Sequence, residues 1–326
     1  MKIQPLTIQT FSVVVGNSSC DGNCPFCVSH TTGFGECPKK SPIDMLGLKK
    51  AMRLAEIGKC TTVLLTGKGE PLLFVDEMTQ YLKAFYTRLQ EGGGFSFVEV
   101  QTNGLLLGEI ARYFMGGSRV ALNTHAEKLY NALELWKGLG LDTIALSVVG
   151  INQVDNKKIY LNHRIDSEYP DLALTVKYLH MKGFNVRLCL MMHKGMVDNS
   201  ESLKNVIDWC RDNKVMQCTA RPLRKPTNYV KVDGAESYLE YIDKNGLTEE
   251  QEYEIHEWIN QLEGKGKARK LYPLAHGAQV YDIDGQNFCL SDCLTMDTDT
   301  NDIRTLIFWA DGKITFAWQY PSARFR

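Results

Sequence analysis

The sequence lacks the marks of a membrane protein, a secreted protein or a strongly basic nucleic-acid-binding protein. No run approaches the roughly 20 apolar residues that a membrane-spanning helix needs, and the opening residues MKIQPLTIQTFSVVVG are too short and too polar for a signal peptide. Lysine and arginine number 37 against 38 acidic residues, so the net charge is −1. That balance gives no global field for nucleic acid, although a local basic groove is compatible with it. We therefore expect a cytoplasmic protein without membrane association.

Internal repeats and low-complexity segments are also missing, whereas cysteine is plentiful. The chain contains ten cysteines. Disulfide frameworks are rare in the reducing cytoplasm, so this number indicates thiols that pack in the core, bind metal or do both. Three of them, Cys20, Cys24 and Cys27, form the pattern C-x3-C-x2-C.

Short apolar runs alternate with amphipathic segments from residue 8 to about residue 225. This alternation predicts βαβ units and a parallel sheet. Six such units give an α/β fold of the partial (β/α)6-barrel type, and a further helix–strand segment around 118–124 leaves a place for one extra βα unit. The chemistry of such barrels lies on the loops that follow the strands. The predicted strands are residues 8–16, 61–67, 97–102, 142–149, 184–192 and 215–221.

The composition changes after about residue 226, where the chain becomes charged and helical. Two Asp-Gly pairs then lie between strand-forming runs, in 280–288 and 305–320. Asp-Gly in this setting is a strong hairpin signal. We therefore predict two domains, a barrel over 1–226 and a small α+β region over 227–326 that caps the barrel and contributes to substrate binding.

The cysteine pattern directly follows the first predicted strand. Gly22 and Asn23 give this loop the backbone freedom to bring three thiolates together. Three thiolates would leave one iron of a four-iron cubane open to an outside molecule. Two other interpretations remain, a zinc site completed by His30 or Cys37 and a group of buried free thiols.

Two further polar motifs follow the second and third predicted strands. Gly67 and Gly69 allow the backbone to approach a ligand closely, and Glu70 can accept a hydrogen bond from an ammonium group. The spacing of these glycines fits neither a P-loop nor a dinucleotide-binding loop. Thr102 and Asn103 end the third strand, where Asn-Gly is equally typical of a plain turn.

Together these motifs resemble the radical S-adenosylmethionine (radical SAM) superfamily, in which an aromatic residue precedes the last cysteine, the position of Phe26. The resemblance extends from residue 8 to about residue 225. The motifs are most similar to those of the molybdopterin-cyclase-like and peptide-modifying members, but the chain lacks the denser C-terminal cysteine sets of those members. It implies that Cys20, Cys24 and Cys27 hold a [4Fe–4S] cluster whose open iron binds S-adenosylmethionine (SAM).

The resemblance also implies the reaction. An electron from a flavodoxin-like or ferredoxin-like donor would cleave SAM to methionine and a 5′-deoxyadenosyl radical, which abstracts hydrogen from a substrate. The protein would then be an oxidoreductase or a transferase. The substrate, whether a nucleotide, a nucleic-acid base or a peptide, is not identified by the sequence, and no catalytic residue is identified either. The alternative is a non-radical protein with a structural zinc or iron–sulfur site.

Contacts to the cofactor follow from the resemblance residue by residue. Glu70 and the glycines before it would bind the methionyl amine, Ser147 would donate to the ribose or the carboxylate, and Arg187 would pair with the carboxylate. Ser147 could equally donate to a backbone carbonyl within its strand. The predicted cofactor-binding residues are Phe26, Gly67, Gly69, Glu70, Thr102, Asn103, Ser147 and Arg187.

The remaining basic residues, cysteines and histidines are not assigned to the cofactor. Arg221, Arg224 and Lys225 follow the last barrel strand and either bind an acidic substrate or solvate a connection. Further cysteines raise the alternative of a second cluster, although core thiols are the favoured interpretation; they are Cys210, Cys218, Cys289 and Cys293. Three histidines lack metal-ligand spacing and are predicted to be ordinary polar residues; they are His163, His193 and His276.

Overall fold

The computed structural model describes residues 7–31, 42–117, 121–164, 166–225, 234–274, 278–291, 303–316 and 318. The strands are β1 (Ile8–Val14), β2 (Thr62–Thr66), β3 (Phe97–Thr102), β4 (Thr143–Val148), β5 (Asn185–Met192), β6 (Gln217–Pro222), β7 (Ala268–Pro273), β8 (Gln279–Ile283), β9 (Gln286–Leu290), β10 (Ile303–Phe308) and β11 (Ile314–Thr315). The helices are α1 (Val28–Thr31), α2 (Met45–Ile57), α3 (Val75–Gln90), α4 (Leu105–Met115), α5 (Thr124–Gly138), α6 (Gln153–Tyr160), α7 (Leu172–Met181), α8 (Ser200–Asp212), α9 (Glu236–Asn245) and α10 (Glu249–Gly264), with a 3₁₀ helix at Pro71–Leu73. No helix among the described residues is long and apolar enough to cross a membrane.

All of these strands belong to one sheet with the order β11-β10-β1-β2-β3-β4-β5-β6-β9-β8-β7. The strands from β10 to β9 in that order pair with one another in parallel, whereas the outer strands β11, β8 and β7 are antiparallel to their neighbours. The sheet does not close, and the predicted partial α/β barrel is confirmed. β9 and β10 come from the C-terminal region yet pair with β6 and β1. Hydrogen bonds thus cross the predicted boundary at residue 226, and the division into two domains stays a prediction.

The extra βα unit expected around 118–124 does not separate β3 from β4. The two strands pair directly, with Val100 opposite Ile144. Residues 121–123 form no strand, and 118–120 lie outside the described residues. The connection holds α4 and α5 instead, because α5 can bury Trp136, whose indole N–H donates to Thr79 of α3 at 2.8 Å.

Alternate residues of a strand point to opposite faces of the sheet. One face packs against the helices and holds large buried side chains such as Phe11 and Leu65. The other, here called the inner face, carries polar or half-buried side chains such as Gln101, Ser147 and Cys189. Polar groups of a ligand therefore find partners on the inner face, above all where the parallel strands end.

The Asp-Gly hairpin predicted in 280–288 is confirmed. β8 and β9 are antiparallel, and Asp284 and Gly285 between them have φ angles of 47° and 86°. Positive φ at both central residues is the type I′ geometry that favours Asp-Gly. The second predicted hairpin is confirmed by the antiparallel pairing of β10 with β11.

Glu56, near the end of α2, joins three parts of the chain. Its carboxylate accepts hydrogen bonds from Arg88 Nε at 2.7 Å and from the Gly94 N–H at 2.9 Å. The hydrogen bonds from Arg88 are the main cause that lowers the pKa of Glu56 to about 2. A carboxyl with a lowered folded-state pKa stabilises the fold above its unfolded pKa, and this stabilisation is lost as the pH falls toward the folded value.

We expect Glu56→Gln to lower the melting temperature at neutral pH by about 2 °C, because the charge-assisted hydrogen bonds are lost. The difference from the unchanged protein should shrink as the pH falls from about 4.5 toward 2, since protonation then removes the same carboxylate. Thermal unfolding followed by circular dichroism measures both effects. An equal difference at neutral and acidic pH would contradict the proposed origin of the stabilisation.

Candidate active site

The three cysteines lie in one loop at the carboxyl end of β1. The end of α6 fixes this loop, because the Asn23 side chain donates to Asn162 at 3.0 Å and Asn162 donates back to the Asn23 carbonyl oxygen at 2.9 Å. The Asn23 N–H also donates to the Tyr160 carbonyl oxygen at 3.0 Å. Sequence reasoning missed Tyr160 and Asn162, since a partner 139 positions away leaves no local signal.

The loop after β2 packs directly on the cysteine loop. A Cβ at Gly69 would lie 2.0 Å from the Ser19 carbonyl oxygen, and one at Gly67 would lie 2.9 Å from the Val15 carbonyl oxygen. The Glu70 N–H donates to the Ser19 carbonyl oxygen at 2.9 Å. Glycine is therefore required at both positions because the two loops of the protein pack closely together. This requirement does not depend on a bound ligand.

Glu70 is buried and joins the end of β2 to the end of β3. Its carboxylate accepts hydrogen bonds from Thr102 Oγ1 at 2.7 Å, the Asn103 N–H at 2.9 Å and the Leu72 N–H at 3.0 Å. Burial, followed by the nearby Asp21 carboxylate, raises the pKa of Glu70 to about 7. A cationic group of a ligand placed beside it would favour its charged form.

Asn103 links the end of β3 to the cysteine loop. Its side-chain amide donates to Asp21 at 2.6 Å and lies 3.8 Å from Cys20 Sγ. Its side-chain oxygen accepts from the Leu105 N–H at 2.9 Å, at the start of α4. The turn that the sequence offered as the plain alternative is thus present, and the same residue also positions the loop that carries the cysteines.

Cys20 and Cys24 lie where their thiolate forms need a nearby positive charge. Loss of hydration raises the pKa of Cys20 to about 11. Burial, with the neighbouring Cys27 and Cys20, raises the pKa of Cys24 well above its ordinary value. Iron ligation requires thiolates and supplies the compensating positive charge. The three cysteines of this one loop therefore fit a four-iron cluster with one open iron.

Of the two residues that the sequence suggested as a fourth zinc ligand, His30 is described by the structure and its ring is engaged elsewhere. The His30 ring stacks on Tyr238 of α9, with centroids 4.5 Å apart, and Cys37 lies outside the described residues. Across the described ranges no three His, Cys, Asp or Glu side chains converge on the position of a single ion. A cubane does not require that convergence, because each thiolate binds a separate iron.

Aromatic side chains cover the cysteine loop. The Phe26 ring centroid lies 6.3 Å from that of His193 and 6.3 Å from that of Tyr241, on α9. His193 Nδ1 lies 2.8 Å from the Lys194 carbonyl oxygen and must donate to it, so Nε2 accepts from the Tyr241 hydroxyl at 2.7 Å. Burial lowers the pKa of His193 and favours this neutral ring. His193 thus has an ordinary polar role and supports Phe26, while Tyr241 was not predicted.

Ser147 lies on the inner face of β4, opposite Cys189 of β5. It is half-buried. Its hydroxyl makes no hydrogen bond within the part of the chain that the structure describes. The hydroxyl is therefore available to a ligand, as the predicted cofactor role requires.

Arg187 is placed differently from its predicted role. Its Nε donates to Glu99 Oε2 at 2.8 Å and its Nη1 donates to Thr219 Oγ1 at 3.1 Å, while Nη2 donates to the second oxygen of Glu99. Arg187 is the third residue of β5 and lies well below the strand end. Because these donors are used between β3, β5 and β6, we replace the predicted contact with the cofactor carboxylate by a structural role.

Arg187→Met should destabilise the protein by about 2 kcal/mol, because it leaves the largely buried Glu99 carboxylate without its partner. The double variant Arg187→Met/Glu99→Leu should recover most of that loss. Urea unfolding measures both values, and SAM binding to the double variant decides the role. An unchanged affinity for SAM is expected, and a tenfold loss would restore Arg187 to the cofactor site.

The C-terminal cysteines are distributed over two faces of the sheet. Cys210 and Cys218 are buried together against the helices, where a hydrogen bond between them and burial raise the pKa of Cys218. Cys289 lies on the inner face, opposite Thr219. Cys293 lies outside the described residues. The three described thiols thus have the character of core residues.

The fold and the loops at the strand ends define a partial α/β barrel whose first loop presents three cysteines beside a buried carboxylate. The family model of the radical SAM superfamily matches residues 14–210. The chain therefore belongs to the radical SAM superfamily. Enzymes of this superfamily bind a [4Fe–4S] cluster and SAM, and the prediction of these cofactors is confirmed.

Solved structures share this fold. Against native anSMEcpe with bound AdoMet, the TM-score is 0.56 at 11% identity, over 97% of this chain and 77% of that one. Against SuiB of Streptococcus suis bound to its precursor peptide SuiA, the TM-score is 0.53 at 14% identity, over 99% of this chain and 63% of that one. The chain therefore spans less than two thirds of the length of SuiB. No curated protein sequence matches the chain.

Proposed function

We propose that the protein holds a [4Fe–4S] cluster on Cys20, Cys24 and Cys27 and cleaves SAM reductively to start hydrogen abstraction from an organic substrate. The observation that carries this proposal is the position of Glu70. Its hydrogen bonds to Thr102 and the backbone of Asn103 bring the loops after β1, β2 and β3 to one point. Glu70, the residue that we propose for the amine of SAM, thus lies beside the loop whose cysteines we propose for the cluster.

The residues of the chain would bind and orient the cofactor. Glu70 would accept from the methionyl ammonium, and this charge-assisted bond is strong because the carboxylate is buried. Ser147 would donate to the ribose or to the carboxylate of SAM. Phe26, supported by His193 and Tyr241, would cover the cluster and keep water from it.

The bound cluster and SAM together supply the electron transfer that ends in methionine and a 5′-deoxyadenosyl radical. The electron would come from a low-potential donor of the flavodoxin or ferredoxin type. The reaction would be that of an oxidoreductase or a transferase. We propose a peptide substrate ahead of a nucleotide, since SuiB carries its precursor peptide and anSMEcpe was also crystallised with the Kp18Cys peptide.

Anaerobic reconstitution with iron and sulfide tests the proposal. We expect about four irons and four labile sulfides per chain. With dithionite and SAM, the reconstituted protein should form methionine and 5′-deoxyadenosine in equal amounts. A colourless protein with one zinc and no labile sulfide would overturn the proposal and establish the structural zinc site instead.

A further inference from the structure

Three basic residues lie at or just after the carboxyl end of β6, the last strand of the predicted barrel, and two of them are paired with carboxylates. Arg224 Nε donates to Glu252 of α10 at 3.0 Å, and Lys225 pairs with Asp243 of α9. The third, Arg221, has no hydrogen bond or ion pair among the residues that the structure describes, and its Nε is buried. A buried guanidinium N–H without an acceptor is unfavourable, so this N–H calls for an acceptor beyond the described residues.

Arg221 lies on the inner face at the carboxyl end of β6. It follows Thr219 by two residues along the same face and lies opposite Met191 of β5. Met191 packs on an apolar cluster that includes Tyr160, and Phe26 packs on the same cluster. Arg221 is therefore next to a residue that packs on the same apolar cluster as Phe26, and in such partly apolar surroundings an ion pair is stronger than in water.

The carboxylate of SAM is not the anion that fits Arg221. The amine and carboxylate of SAM are bonded to the same carbon, and the amine is assigned to Glu70, which follows β2. In the sheet order β6 lies four strands beyond β2. Neighbouring strands are about 4.8 Å apart, so roughly 19 Å along the curved sheet separates the two positions. Arg221 is therefore assigned to an anion other than the carboxylate of SAM, and the affinity of Arg221→Met for SAM tests this assignment.

We propose that Arg221 binds a carboxylate of the substrate, a proposal that rests on the proposed radical SAM function. The guanidinium carries a single charge, and its planar fork matches the two oxygens of a carboxylate. A phosphate monoester carries nearly two charges at neutral pH and calls for a second cation. The nearest candidates in the sequence, Arg224 and Lys225, are already paired. The substrate is therefore an acidic peptide, recognised through an aspartate or glutamate side chain or its C-terminus.

Ligand-observed NMR on the reconstituted, SAM-loaded protein tests this proposal. The probes are a capped tripeptide with a central glutamate, the same tripeptide with glutamine, and inorganic phosphate. The glutamate peptide should bind at least tenfold more tightly than the glutamine peptide. Arg221→Met should abolish that difference and Arg221→Lys should keep part of it. The matched control Arg224→Met should preserve it, because Arg224 is held by Glu252.

Several results would overturn the proposal. Equal binding of the two peptides would show that Arg221 does not bind a carboxylate. The same conclusion would follow if Arg221→Met retained the preference for the glutamate peptide. Tighter binding of phosphate than of the glutamate peptide would indicate a nucleotide. Weaker SAM binding in Arg221→Met would place the residue at the cofactor. Formation of 5′-deoxyadenosine from SAM and dithionite without peptide, measured on the unchanged protein and on Arg224→Met, reports the radical SAM function separately from peptide binding.

Discussion

Replacing Cys24 by alanine should abolish the iron–sulfur cluster and reduce 5′-deoxyadenosine formation to background. Cys24 lies between the other two cysteines of the loop, and its thiol is close enough to both for them to raise its pKa. Two remaining thiolates seldom hold a cubane, and without the cluster SAM receives no electron. Iron and sulfide content, the visible spectrum and chromatography of the reaction products measure the loss.

Cys60→Ala is the matched control for this prediction. Cys60 is also a reduced thiol, 4% exposed in the core, and it donates to the Thr62 carbonyl oxygen at 3.3 Å. Its removal should leave the iron content and the cleavage of SAM unchanged. If Cys24→Ala retains both its iron content and the cleavage of SAM, the cysteine loop does not hold the cluster. The metal would then be bound at another site.

The positions of the active-site loops could be predicted because each follows a visible strand. The run 61–67 contains β2 (Thr62–Thr66), and 97–102 coincides with β3 (Phe97–Thr102). Parallel strands end at one edge of a sheet, so motifs after successive strands meet without any knowledge of side chains. The proximity of Glu70 to the cysteine loop therefore followed from order along the chain.

Partners across the sheet could not be predicted in the same way. Arg187 and Glu99 are 88 positions apart, on strands separated by β4, and the alternation of faces assigns both to the inner face without pairing them. Likewise Ile8 lies opposite Ile303, because β10, from the C-terminal region, pairs with β1, the first strand of the barrel. Such pairings depend on the curvature and register of the whole sheet, which local patterns do not contain.

Glu70→Gln should weaken SAM binding by about 10- to 100-fold while leaving the cluster in place. The neutral amide loses the charge-assisted bond to the methionyl ammonium, a loss of about 1.5–3 kcal/mol. If its oxygen keeps the bonds from Thr102 and Leu72, its NH₂ must face the Asn103 N–H, and two donors then oppose each other. The cysteine ligands are untouched. Iron content and calorimetric titration with SAM separate the two effects.

The pH dependence of binding adds a second readout. The pKa of Glu70 is about 7 because burial disfavours its charge, whereas the ammonium of SAM binds the charged form. The affinity of the unchanged protein should therefore rise as the pH increases from about 6 to 7, and Glu70→Gln should not show this rise. Glu77→Gln is the matched control, since Glu77 accepts from the Gly16 N–H at 3.0 Å and burial raises its pKa as well. If both glutamine variants lose affinity equally, the effect belongs to loop packing, and Glu70 is not the residue that receives the amine.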